Sequence, residues 1–130
     1  MAYNNAVTNT AGQLSAITTT IAYTDTAAVI IGTIPARSQI VDINIDVTTA
    51  FDAAGTDTVT VGKTGSAAAF VTSTSVAAAG RASVATTGVY SAWANVGSSD
   101  VDYATVTFTQ TGTAATAGAA RVTIVYKAFA

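Results

Sequence analysis

The stretch Gln39-Ile40-Val41-Asp42-Ile43-Asn44-Ile45-Asp46-Val47-Thr48 decides the fold class. Its apolar residues recur at every second position. Val41, Ile43, Ile45 and Val47 fall on one face of an extended chain, and Asp42, Asn44 and Asp46 fall on the other. Period two marks a half-buried β-strand, because successive side chains of a strand point to opposite sides. The same alternation runs through residues 102–110, where Ala104, Val106 and Phe108 oppose Thr105, Thr107 and Thr109. It returns in residues 57–61, where Val59 and Val61 oppose Thr58 and Thr60.

Working outward, residues 16–23, 27–34, 68–73, 82–86, 89–95 and 121–129 also read as strands. Turn-forming residues separate them: Asp25, Pro35, Ala54-Gly55, Gly62 to Gly65, Gly80, Gly88, Gly97-Ser98-Ser99 and Gly112 to Gly118. Nothing reads as a long helix. Strands that recur at about 8–12-residue spacing make an all-β sandwich or barrel. About eight strands predict a jelly-roll-like antiparallel β-sandwich, with the connectivity open.

The length of 130 residues fits one domain, over residues 16–130. Residues 1–15 differ from the rest: they are rich in Asn, Thr and Ala and have no period. They read as an irregular N-terminal arm, either a frayed terminus or a segment that orders on a neighbouring subunit with Tyr3, Val7 and Leu14 as anchors. Residues 109–120 form a second irregular stretch, read as a long flexible hairpin loop or an edge that packs on a partner.

Composition narrows the function. Charged residues are only 9% against a usual value of about 25%, and apolar residues are 50%. Such a surface suits a protein covered by copies of itself or by a partner, since interface cores are depleted in charge. Net charge is −2, which removes the basic footprint of a nucleic-acid binder. The longest strongly apolar stretch, Ala27 to Ile34, falls short of the roughly 20 residues a membrane-spanning helix needs. Met1-Ala2-Tyr3-Asn4-Asn5 has neither a basic n-region nor an apolar h-region, so no secretory signal peptide is expected.

The chain contains no His, Cys or Glu. A Ser/His or Cys/His nucleophile pair cannot be built, and thiolate-bound zinc is excluded. No catalytic residue, cofactor or small-molecule substrate is expected. Four local patterns have a chemical reading and a plainly structural one. Asp25-Thr26-Ala27 is similar to an aspartic-protease tripeptide with its glycine replaced, and reads as a turn. Asp42, Asn44 and Asp46 lie too far apart along a strand to grip one ion. They read as a solvated face or one that pairs with basic residues of a neighbour. Asp52 and Asp57 bracket a glycine-bearing loop and are the candidate Ca²⁺ ligands, against a hairpin-turn reading. Tyr90 and Trp93 could stack on a sugar, or serve as core or interface.

The stretch Ile34-Pro35-Ala36-Arg37-Ser38-Gln39-Ile40, with the strand that ends in Val47-Thr48-Thr49-Ala50-Phe51, the turn Gly55-Thr56-Asp57 and the close Val61-Gly62, resembles small structural proteins of tailed bacteriophages. The final Ala120-Arg121-Val122-Thr123-Ile124-Val125-Tyr126 is similar to their C-terminal strand. The resemblance implies a virion protein made in the host cytoplasm. Its role would be a capsid decoration (cement) protein, self-associated as a homotrimer and bound to the major capsid protein or another virion protein. A sugar- or calcium-binding module of a phage fibre, tail or cell-surface adhesin is the alternative.

Overall fold

The computed structural model describes residues 14–84, 90–94 and 102–128. Among them are eight strands: β1 (Leu14–Ala22), β2 (Val29–Ile34), β3 (Ser38–Thr49), β4 (Asp57–Lys63), β5 (Ser66–Ser75), β6 (Gly80–Arg81), β7 (Asp102–Gln110) and β8 (Ala119–Ala128). One helical turn, α1 (Tyr90–Trp93), stands between β6 and β7. The strands form two sheets with the orders β1-β8-β3-β6 and β2-β7-β4-β5.

The pairing follows one rule. β1 pairs with β8, β2 with β7, β3 with β6 and β4 with β5, all antiparallel. A chain folded once into a long antiparallel ribbon gives this nesting. Wrapping the ribbon then brings β3 beside β8 and β4 beside β7, which closes two four-stranded sheets. The result is an eight-stranded jelly roll, as expected from the strand count.

The alternating residues supply the core between the sheets. Ile43, Ile45 and Val47 of β3 face Val59 and Val61 of β4 and Val106 of β7, all at 2% exposure or less. Burying each such side chain contributes about 1.5–3 kcal/mol. Phe51, just past β3, stacks at a tilt on Phe108 with ring centroids 4.6 Å apart. Gly118 lies against this pair: it adopts φ +149°, and a Cβ there would sit 2.4 Å from the Phe51 ring. Gly62 meets a similar demand, since a Cβ there would be 2.1 Å from the Ser66 carbonyl oxygen. The Val61-Gly62 strand end is therefore a packing requirement of the β4–β5 hairpin.

Four sequence readings change. Val41 does not join Ile43 and Ile45 inside. The β3–β8 register shifts between Ile40 and Asp42, so Ile40 is buried at 2% and Val41 stands 43% exposed. A β-bulge inserts one residue and flips the alternation on its far side. Of the strand read over residues 82–86, residues 82–84 are not strand and 85–86 lie outside the described residues; the short β6 precedes them at Gly80–Arg81, and Ala82 donates one further bond to the Ile45 carbonyl at 2.8 Å. Of the strand read over residues 89–95, residues 90–93 form the helical turn α1 instead, and 89 and 95 lie outside the described residues. The irregular stretch 109–120 resolves into the end of β7, the start of β8 and a connection tied down at many points. Thr111 and Thr113 carbonyls accept from Gly55 and Ala54 at 2.9 and 3.0 Å, and Thr111 N–H donates to the Thr56 carbonyl at 3.0 Å.

Candidate interaction surfaces

Each sheet presents one face to the core and one outward, and the two outward faces differ in chemistry. On the β1-β8-β3-β6 sheet, register places Thr18 beside Thr123 and Asn44, and Thr20 beside Arg121 and Asp46. The Thr18 and Thr123 hydroxyls are 3.0 Å apart. Arg121 donates to Asp46 at 3.1 Å, and Arg81 donates to Asp42 at 3.3 Å. The aspartates of β3 thus pair with arginines of their own chain, brought across from β8 and β6. Sequence spacing alone hid this, because Arg81 and Arg121 are distant along the chain.

The outward face of β2-β7-β4-β5 is uncharged at its centre. Register aligns Thr58 with Thr109, Thr60 with Thr107, and Ile30 with Thr105. Ile30 is 59% exposed and Tyr103 is 53% exposed on this face. Threonine makes it polar without charge, and the β-branched side chains suit a pleated surface.

The Asp52–Asp57 loop is held by hydrogen bonds. Asp52 accepts from the N–H groups of Thr116 (2.7 Å) and Ala117 (2.9 Å) and from the Thr116 hydroxyl (2.8 Å). These donors, the Ala117 N–H foremost, lower its pKa below the ordinary aspartate value. Asp57 is 3% exposed and accepts from Ala53 N–H at 3.3 Å. Both carboxylates therefore fasten loop backbone. Among the described residues no three His, Cys, Asp or Glu side chains gather. Asp25 closes the turn after β1, accepting from Ala22 N–H at 2.7 Å. Its place is that of a turn aspartate.

Trp93 packs against the core, and its indole N–H donates to the Phe70 carbonyl at 2.8 Å. Leu14 opens β1 opposite Lys127 and is 57% exposed. The other two arm anchors, Tyr3 and Val7, lie outside the described residues. Among the described residues no helix is long and apolar enough to cross a membrane.

Because β6 is so short, a groove of about 660 Å³ opens along β3. Val41, Asp42 and Ile43 form one wall, and Arg81, Val84 and Trp93 face them. No sequence signal announced it, since it arises from a strand ending early.

No protein-family model matches the chain, and no curated protein matches it in sequence. Solved structures do match in fold. A chain of the cyanophage Pam1 capsid asymmetric unit is similar at TM-score 0.67 and 17% identity, over 92% of this chain and 88% of that one. A chain from the acidic stable capsid structure of Helicobacter pylori bacteriophage KHP30 is similar at TM-score 0.58 and 9% identity, over 90% and 89%.

Proposed function

We propose that this chain is a structural virion protein of a tailed phage, a capsid decoration (cement) protein that bridges capsid subunits. One observation carries the reading. The jelly roll matches two chains from phage capsids over about nine tenths of each partner, so the likeness spans whole chains of similar length. The composition supports it: 9% charged residues, and no His, Cys or Glu from which to build an acid–base or nucleophilic centre. It acts through its surface and turns over no substrate.

The mechanism follows from mass action. A protein that binds only the assembled lattice adds its binding free energy to the stability of that lattice. Three copies around an axis would repeat one patch under cyclic symmetry and touch adjacent capsomers together. The uncharged face with Ile30 and Tyr103, and the N-terminal arm with Tyr3 and Val7 together with the exposed Leu14 that opens β1, are the surfaces suited to such contacts.

The test uses heads of the encoding phage assembled without this protein. Purified chain added back should bind them to saturation and raise their melting temperature. Heads that gain neither bound chain nor stability would overturn the decoration role.

A further inference from the structure

We infer that copies of this chain associate end to end, with the acidic loop pole of one copy seated against Arg37 and Lys127 at the opposite pole of the next. The inference rests on the self-association reading above and names the two surfaces that meet.

Strand directions sort the charges. Paired strands are antiparallel throughout, so every connection falls at one of two poles. One pole holds the β1–β2 turn (residues 23–28), the β3–β4 loop (50–56), the β5–β6 connection (76–79) and the β7–β8 connection (111–118). All of these residues are described. Together with Asp57, which opens β4, they carry Asp25, Asp52 and Asp57 and no lysine or arginine. The other pole holds the β2–β3 turn with Arg37, the β4–β5 hairpin after Lys63, and Lys127 near the end of β8, in register with Gln39 beside that turn. Asp102 opens β7 at this pole, opposite Ile34. At about 3.4 Å per residue, β8 separates the poles by about 27 Å between Ala119 and Lys127.

Between the poles the charges cancel. Asp46 pairs with Arg121 at 3.1 Å, and Asp42 with Arg81 at 3.3 Å. The loop pole therefore carries three carboxylates and no cationic side chain. The remaining charged side chains of the sequence, Arg37, Lys63, Lys127, Asp100 and Asp102, sum to +1. The molecule is polarised from end to end. A contact between two acidic poles would set like charges together, whereas acidic against basic brings opposite ones together. Unlike poles in contact make a heterologous interface, which becomes a ring when its rotation closes. A trimer about an axis is such a ring.

Both surfaces are prepared for contact. The four connections of the acidic pole contain no Lys, Arg, Glu or Gln, so docking freezes few long side chains. Their backbone is already braced: Gly55 and Ala54 donate to the Thr111 and Thr113 carbonyls, and Ala115 N–H donates to Gln110 Oε1 at 2.7 Å. Asp52 is exposed and accepts three bonds from Thr116 and Ala117. A carboxylate offers about four acceptor sites, so Oδ2 keeps one for a donor from outside. At the other pole Arg37 stands exposed at the turn, in left-handed backbone at φ +57°. Among the described residues neither Arg37 nor Lys127 has an ion-pair partner. A guanidinium is the cation best matched in shape to a carboxylate.

The test is a charge exchange read by sedimentation equilibrium on full-length chains: native, Arg37→Asp, Ala114→Lys and the double variant. Aspartate tolerates left-handed backbone, and Ala114 is exposed at the acidic pole, so all four should melt alike. Each single substitution should weaken association about tenfold, and the double variant should return to within about threefold of native. High salt should weaken the native contact. An Arg37→Asp chain that associates as tightly as native, or a double variant no tighter than either single one, would overturn the inference. If native chains still form oligomers in that case, self-association stands and another surface carries it. If native chains are monomeric at every concentration, both readings fall.

Discussion

Strand β3 has two edges, and the protein treats them differently. On the β8 side its ladder runs from Ser38 to Thr49, interrupted only by bulges. On the β6 side the ladder covers two residues among those described. The same strand is thus a central strand on one side and nearly an edge on the other. The paired side carries the packing: Ile43, Ile45 and Val47 are buried beside Val122 and Ile124. Among the described residues the other side carries those two pairs and the bond from Ala82 N–H to the Ile45 carbonyl, and Val41 on the same strand is exposed.

Substitutions can break or sharpen that contrast. Ile45 is 0% exposed, so Ile45→Ala should cost about 2–5 kcal/mol in urea unfolding. Val41→Ala, on the same strand but past the bulge, should change stability by no more than about 0.5 kcal/mol. Equal costs would mean that the bulge does not turn Val41 outward. Trp93→Phe removes the indole donor that serves the Phe70 carbonyl of β5. It should cost about 1–3 kcal/mol, because a lost partner leaves a polar group unsatisfied. A neutral result would show that this bond adds no net stability.

The loop pole provides a smaller, pH-dependent effect. Hydrogen bonds lower the Asp52 pKa in the folded chain, so its contribution is fully present above the unfolded value near 3.8. It is lost as pH falls through the lower folded value. Melting curves taken downward from pH 6 should show Asp52→Ala less stable than native at pH 6. The two should converge in the acid range. A constant offset down to the lowest pH would assign the effect to packing. Smallest of all, Arg121→Ala breaks an ion pair whose partners are 56% and 36% exposed. It should cost less than about 1 kcal/mol, and less still at high salt.

The alternation of Ile43, Ile45 and Val47, and of Val59 and Val61, was legible in the sequence because period two needs no knowledge of partners. The jelly-roll strand order was not, since nesting β1 with β8 depends on contacts more than 100 residues apart (Ile17 against Ile124 is one). Val41 misled because a bulge shifts the period by one residue and leaves composition unchanged. Asp52 and Asp57 invited a calcium reading because a glycine-bearing acidic loop can bind metal or fasten backbone. Only the approach of Thr116 and Ala117 shows what Asp52 holds. The Asp42–Arg81 and Asp46–Arg121 pairs were hidden for the same reason of distance. The groove was the least legible feature, because it follows from where β6 stops.

The most direct test of the central claim is the solution mass of the purified full-length chain by sedimentation equilibrium. A protein that works through self-association should sediment as a closed oligomer, at three times the 12.9 kDa chain mass for a trimer. A monomer at every concentration tested would contradict the account.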